Sequence, residues 1–378
     1  MGIPGYTKWL KLRFPGCFHP VHRNQPLAAQ LPLPIAGRVR PFDHVHFDLA
    51  ARLYMVSGRA NDTSHLLKLL LGDLHAVVRW AAPKRSVTLA IDGVPPAAKL
   101  WTQRIRRFDP KRGNDSGRKR RGIDTLGFTI GTLLMRQVGM ALHFCAVQAL
   151  QAKQFAKTVF YVSGPEVYGE GEHKLHVRVL SLLREKPAET HLIIGNDADL
   201  IVQACAAAAV VEQSQAPRPV RSRLLDPHAG PSSSCDQISL LLTYRGSNQL
   251  LLPVAQLASA VLADLPAPAS TTASAPRTLL DLALLSLLMG SDYLPRPSGL
   301  RLASSYPAYL ALKQEQPAAY LVHPYSVGDD GDLLSCGFRL DHAALARMIE
   351  LVLEGGFDPS RYFDEIFLHL DKCRGTGG

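Results

Sequence analysis

Cysteine is sparse and unpatterned in this 378-residue chain: the six residues, at positions 17, 145, 205, 235, 336 and 373, form no C-x-x-C pair and keep no regular spacing. That argues against a disulfide framework and sets the expectation of a reducing, intracellular compartment. Cys17, His19 and His22 stand close together, but no fourth ligand is near and prolines flank them, so zinc is not expected there. Long apolar runs are missing too. No stretch has the roughly 18 uncharged apolar residues of a membrane span, and the run Leu279 to Met289 is short and interrupted by Asp281. The N-terminus lacks a secretory pattern, and Tyr6 stands where myristoylation requires Ser or Thr. No internal repeat is found. What remains is a chain 47% apolar, able to bury a sizeable core as one large α/β domain with insertions or as two to three ordinary domains.

Charge is present in excess of one sign. The formal net charge is +10, and the span from Lys99 to Arg121 holds ten Lys or Arg against Asp109 and Asp115, a local +8. Such a block suits either a polyanionic partner or a solvated loop. Within it, Arg118-Lys119-Arg120-Arg121 also reads as a short nuclear-import signal, so nucleus and cytoplasm both stand as expected locations.

Apolar runs and acids alternate along the chain. After a short amphipathic start (Tyr6, Trp9, Leu10, Leu12), Pro15 to Pro41 reads as an irregular loop. A strand at His44 to Leu49 carries Asp48, a helix follows from Leu66 to Trp80, and a second strand (Val87, Leu89, Ile91) runs into Asp92. The run Val159-Phe160-Tyr161-Val162 reads as a buried strand leading to Gly169-Glu170-Gly171-Glu172-His173-Lys174. Leu175, Val177, Val179, Leu180 and Leu183 then form the inner face of a helix. Leu192-Ile193-Ile194 leads to Asp197 and Asp199, and a helix from Leu279 to Met289 ends just before Asp292. Strands separated by helices, each closing on carboxylates, predict an α/β fold: a mostly parallel central sheet flanked by helices, with functional residues outside the strands' carboxyl ends.

Two intervals, 213–235 and 264–277, are rich in Pro, Ser and Ala and are expected to be disordered insertions. Between them, Ile238 to Tyr244 and Leu250 to Leu265 read as an added strand and helix. Phe338 to His369 reads as helical.

Taken alone, Glu170 and Glu172 fit a charged helix entrance, where acids complement the helix dipole, as well as they fit a site. Seven carboxylates at matching strand and helix ends (Asp48, Asp92, Glu170, Glu172, Asp197, Asp199, Asp292) are another matter, since their mutual repulsion calls for cations. All-oxygen ligation favours Mg²⁺ or Mn²⁺, and clustered acids can hold two ions about 3.5–4 Å apart. Past Asp92, a proline-initiated helix would place Lys99, Gln103, Arg106 and Arg107 on one face, a cationic surface suited to phosphate oxygens.

Together these blocks resemble the Xrn family of 5′→3′ exoribonucleases, within the flap-endonuclease and PIN-like nucleases. Met1-Gly2-Ile3-Pro4 with Trp9 is similar to the family's opening, and Phe47-Asp48-Leu49 to its first metal-ligand strand. Ile91 to Lys99, with Gln103, Arg106 and Arg107, resembles its second ligand and its pocket for a 5′-monophosphate. Gly169 to Lys174, Asp197 to Ile201 and Gly290 to Pro295 resemble the remaining acidic motifs. The likeness spans residues 1 to about 300, which would form a PIN/FEN-like nuclease domain, with 301–378 as a helical C-terminal extension packed on it.

The resemblance implies a hydrolase, a 5′→3′ exoribonuclease with two Mg²⁺ or Mn²⁺ ions held by the seven acids, degrading single-stranded RNA with a 5′-monophosphate in RNA decay or processing. The chain departs from the pattern in places. Ala50 and Tyr54 stand where the family has Asn and His, and Ile130 where it has Pro. The second conserved region of family enzymes has no counterpart here. Tyr54 can still stack on the first base. A catalytically weakened RNA-binding or assembly module of the same fold, and a flap-type nuclease acting on DNA, stand as alternative readings.

Overall fold

The structure, a computed structural model, describes residues 3, 5–31, 42–97, 99, 100, 123, 125–214, 234–243, 249–267, 269, 275–291, 300–326 and 336–354. Gln103, Arg106, Arg107, Asp292 and most of the basic block lie outside them.

Strand β1 (His19–Val21) is followed by β2 (His44–Asp48), β3 (Ser86–Ala90), β4 (Val159–Ser163), β5 (His191–Gly195), β6 (Ile238–Thr243) and β7 (Gln249–Pro253). They form one sheet in the order β1-β7-β6-β5-β2-β3-β4. The pairs from β6 through to β4 are parallel, while β7 runs antiparallel to both β6 and β1. The mostly parallel α/β architecture expected from the sequence is therefore present.

Alternation within the strands divides the core in two. Val45 and Phe47 of β2, Val87 and Leu89 of β3, and Leu192 and Ile194 of β5 point to one face. There they meet α3 (Thr63–Ala81) and α4 (Leu133–Leu150), through Leu66, Leu70, Leu74, Val138 and Leu142. Ala90 and Ile193 point to the other face, which is covered by α5 (Gly171–Glu185) and α6 (Asp199–Ser214) and, further out, by α7 (Val254–Asp264), α8 (Ala275–Leu288) and α9 (Leu302–Glu315). Both faces are covered, as a parallel sheet requires. Asp62 caps α3, accepting from His65 N at 2.8 Å, and Thr132 caps α4, accepting from Met135 N at 3.3 Å. By length and mean hydropathy, 1.3, α4 has the dimensions of a membrane span; Arg136 and His143 interrupt its apolar run, and Val138, Leu142 and Cys145 are core residues.

The N-terminal helix α1 (Tyr6–Arg13) is held by aromatic packing: Trp9 lies edge-on to Tyr306 at 5.1 Å and to Phe14 at 5.9 Å. Leu12, expected on its inner face, is exposed, and Tyr6 and Leu10 are the buried pair. Short helix α2 (Ala50–Ser57) is tied to α3 by Arg52, buried against Asp73, which also pairs with Arg23 at 2.7 Å.

Several local expectations are corrected. The run Val159 to Val162 forms the edge strand β4, so Val159 and Tyr161 are exposed rather than buried. Val177, placed on the inner face of α5, is exposed as well, while Leu175, Val179 and Leu183 are buried. Within Pro15 to Pro41 the short strand β1 pairs with β7, and Leu250 to Leu265 divides into β7 and α7. The interval 264–277 is ordered at both ends, since Asp264 closes α7 and Ala275 opens α8; 215–233 lies outside the described residues. Phe338 lies in β9 (Cys336–Leu340), paired antiparallel with β8 (Val322–Ser326), and the helix α10 starts only at His342 and runs to Glu354.

Cys17 is buried, its Sγ 3.5 Å from the Gln256 carbonyl, and burial pushes its thiol up to about 11. Such a thiol is held protonated at neutral pH.

Candidate metal centre

Chain order across the sheet places the site. From β2 the chain steps outward to β3 and β4, then returns to β5 on the other side of β2. The helices after β2 cover one face and α6 after β5 the other, so the connections diverge and leave a crevice outside the carboxyl ends of β2 and β5, a topological switch point. Asp48 ends β2 there, and Asp197 and Asp199 follow β5 there.

The remaining acids arrive from adjacent strands. Asp92 lies two residues past β3, and its Oδ1 accepts the Gly171 N–H at 2.9 Å. A carboxylate from one strand thus satisfies a free donor at the amino end of α5 and faces the positive end of its dipole. Glu170 is the residue before α5, and Glu172 is in its first turn. Two glycines allow the approach. A Cβ on Gly171 would lie 2.8 Å from Asp48 Oδ1 and 3.5 Å from Asp92 Oδ1; one on Gly195 would lie 3.1 Å from Asp48 Cβ. Gly169 adopts φ 99°, where other residues are strained.

Carboxylate oxygens of Glu172, Asp197 and Asp199 lie within 4.8 Å of one another. Asp48, Glu170 and Glu172 are each under a tenth exposed, as is Asp199. The crowding is visible in proton affinity. Burial first, then Asp92, Asp197 and Glu170, pushes Asp48 up to about 8, although the Ala50 N–H donates to it. Burial and the neighbouring Asp197, Asp199 and Asp48 push Glu172 up to about 10. Burial and Glu170 raise Asp92, while its bond from Gly171 and the charges of Lys99 and Lys174 oppose the rise.

These properties are those of a hard-cation site. Every donor brought together is a carboxylate oxygen; Asp48, Glu170, Glu172 and Asp199 are buried, and burial with the neighbouring acids makes Asp48 and Glu172 hold their protons unusually tightly. Among the described residues Glu172, Asp197 and Asp199 can together hold a divalent ion, and Asp48, Asp92 and Glu170 lie close to them.

The structure therefore brings together six of the seven acids expected from the sequence, Asp292 being outside the described residues. Of the basic face only Lys99 is described. It is 6% exposed, with Nζ 3.1 Å and 3.2 Å from the two oxygens of Glu170, so it neutralises a carboxylate of the centre. Tyr54, on α2, is 42% exposed and lies edge-on to the buried Phe128 ring at 5.1 Å.

Two features escaped the sequence. Lys174 Nζ donates at 2.8 Å to the carbonyls of both Ile91 and Gly164; its place beside the two glutamates was the available signal. Beneath Asp48, on the same face of the sheet, His44, His46 and His191 form a buried stack, with His46 Nε2 3.1 Å from His191 Nδ1 and His44 bonded to Ser86 and Glu189 at 2.7 Å each. The alternation of His44, His46 and Asp48 in one strand was its trace.

A family model described as XRN 5′-3′ exonuclease N-terminus matches residues 1–211. Among curated relatives, 5′-3′ exoribonuclease 2 of Eremothecium gossypii is 28% identical over 237 residues, covering 53% of this chain and 25% of that protein. The protein of the same name in Saccharomyces cerevisiae is 27% identical over 238 residues, 53% of this chain and 24% of its own length. Human 5′-3′ exoribonuclease 1 is 27% identical over 228 residues, 53% of this chain and 12% of its own length. The chain spans a quarter or less of these relatives. The six clustered acids fall within the matched span, and Asp292 falls beyond it.

Proposed function

For a chain that belongs to the XRN 5′-3′ exonuclease N-terminal family, we propose the activity of a metal-dependent 5′→3′ exoribonuclease acting on single-stranded RNA that bears a 5′-monophosphate. The observation that carries the reading is the convergence of Asp48, Asp92, Glu170, Glu172, Asp197 and Asp199 at the switch point, with three of them in mutual ligand range. Bound Mg²⁺ or Mn²⁺ would activate water for attack on a phosphodiester and stabilise the charge on the leaving oxygen. Protein groups do the rest. The carboxylates would hold the ions, Asp48 and Glu172 giving up their protons to do so; Gly171 and Gly195 keep the space between Asp48 and its neighbours free of side chains. Lys99 balances Glu170 and adds positive charge beside the site. Gln103, Arg106 and Arg107 are proposed to take the 5′-phosphate, and Tyr54 to stack on the first base.

RNAs of one sequence bearing 5′-monophosphate or 5′-hydroxyl ends, incubated with Mg²⁺ or with chelator, test the proposal. Loss of nucleotides from the 5′-phosphate RNA alone, abolished by chelator and by Asp197→Asn, is expected. Equal decay of both RNAs refutes the end specificity. Tight RNA binding without turnover favours a binding module, and preference for branched DNA a flap nuclease.

A further inference from the structure

Lys174 occupies the seam between the two segments that deliver acids from the outer part of the sheet. Its Nζ donates at 2.8 Å to the Ile91 carbonyl and at 2.8 Å to the Gly164 carbonyl. These are the first residues past β3 and β4, where the ladder of the parallel sheet runs out and carbonyls need new donors. The backbone continues the seam above them. Ile91 N donates to Ser163 O at 3.1 Å, Gly93 N to Gly169 O at 2.8 Å, and Gly169 N to Val94 O at 2.9 Å. Packing is tight: a Cβ on Gly93 would lie 1.7 Å from the Val167 carbonyl oxygen and 3.1 Å from Lys174 Nζ. One segment then carries Asp92, and the other carries Glu170 and Glu172.

We infer that Lys174 is a positioning residue of the metal centre: by clamping the carbonyls at the ends of β3 and β4, it sets the spacing of Asp92 from Glu170 and Glu172, and with it the affinity for divalent ions. The inference rests on the reading of the acidic cluster as a metal centre. Lysine suits the task because its ammonium group offers three donors on a slender stem that passes through a seam too narrow for bulk. With two of those donors on main-chain carbonyls, the group serves the frame rather than the substrate. Its charge also opposes the accumulation of negative charge at Asp92.

The test is Mn²⁺ binding by the full chain, followed through the paramagnetic resonance of free Mn²⁺, alongside kcat and KM on 5′-phosphate RNA. Lys174→Met keeps the stem and removes the donors and the charge. Its affinity for Mn²⁺ is expected to fall by about 10-fold or more, the usual effect of losing a group that orients ligands, with KM for RNA unchanged at saturating Mn²⁺ and the circular dichroism of the metal-free protein retained. If Lys174→Met does not fold, Lys174→Gln is measured in its place against the same outcomes; failure of both to fold overturns the positioning role, since that role leaves the metal-free fold standing. Mn²⁺ affinity equal to that of the natural sequence also overturns it. If the natural sequence itself binds no Mn²⁺, the metal-centre reading falls, a result distinct from the other two.

Discussion

Asp48→Asn is expected to stabilise the protein while divalent ions are withheld and to leave it less stable than the natural sequence once they are supplied. Asp48 is buried at the switch point, and its carboxyl is raised from 3.8 to about 8 by burial, by Asp92 and, more weakly, by Asp197 and Glu170. A group that binds its proton more tightly folded than unfolded contributes stability at low pH and loses it as pH rises. From pH 3.8 to about 8 the unfolded chain has released a proton that the folded chain keeps, so stability falls through that window by roughly 1.4 kcal/mol per pH unit. At pH 7 the accumulated cost is of the order of 4 kcal/mol. Asparagine removes it, retains an oxygen for the Ala50 N–H, and takes on the desolvation of an amide, about 1–3 kcal/mol. The net gain is about 1–3 kcal/mol, a few degrees in melting temperature. Metal reverses the order, because a ligand at a thousandfold excess over its Kd adds about 4.1 kcal/mol to a protein that binds it, and the variant lacks a ligand. Thermal melts in chelator and in Mn²⁺, at pH 5 and at pH 7, read both signs; the gain in chelator should be larger at pH 7. A variant that melts earlier in chelator, or responds to Mn²⁺ as the natural sequence does, refutes the reasoning.

Gly171→Ala places a methyl 2.8 Å from Asp48 Oδ1; it should lower Mn²⁺ affinity at least 10-fold in a calorimetric titration, through displaced ligands. Tyr54→Ala is expected to raise KM for single-stranded RNA by about 5- to 100-fold, the range of one lost base stack, with Tyr54→Trp close to the natural sequence. The histidine stack predicts acid lability. Burial, with the charges of His44 and Arg178, lowers His46 from 6.5 to about 3, so stability is intact above pH 6.5 and is lost as pH falls toward 3. His46→Gln should flatten that acid limb in melts taken from pH 7 to pH 4.

The acids were legible because a parallel sheet puts all its carboxyl ends on one edge. Each apolar run that closes on Asp or Glu therefore points to the same place, as Asp48, Asp92, Glu172 and Asp197 do. Periodicity found the helices that bury one face, such as α3, and missed elements whose apolar runs carry no period. Leu250 to Leu265 has only Gln256, Ser259 and Asp264 to break its apolar run, so its pattern did not separate β7 from α7, and Pro253 was the one mark of the division. The exposure of β4 was hidden for a related reason: Val159 to Val162 has the composition of a central strand, and only the order of the sheet makes it an edge. Lys99 reads as a surface cation by its place in a basic block, yet Glu170, distant in sequence, draws it into the centre. Lys174 was visible as a neighbour of Glu172, but its partners are main-chain carbonyls, which no residue pattern shows.

The central claim, that these carboxylates hold the ions on which RNA cleavage depends, is tested most directly at Glu172, which lies in ligand range of Asp197 and Asp199. Glu172→Gln keeps the size of the side chain and removes its charge. Measured on 5′-phosphate RNA across a Mg²⁺ or Mn²⁺ titration, the account predicts cleavage lost at every metal concentration, with the circular dichroism spectrum unchanged. Cleavage that persists at the natural rate in the folded variant would contradict it.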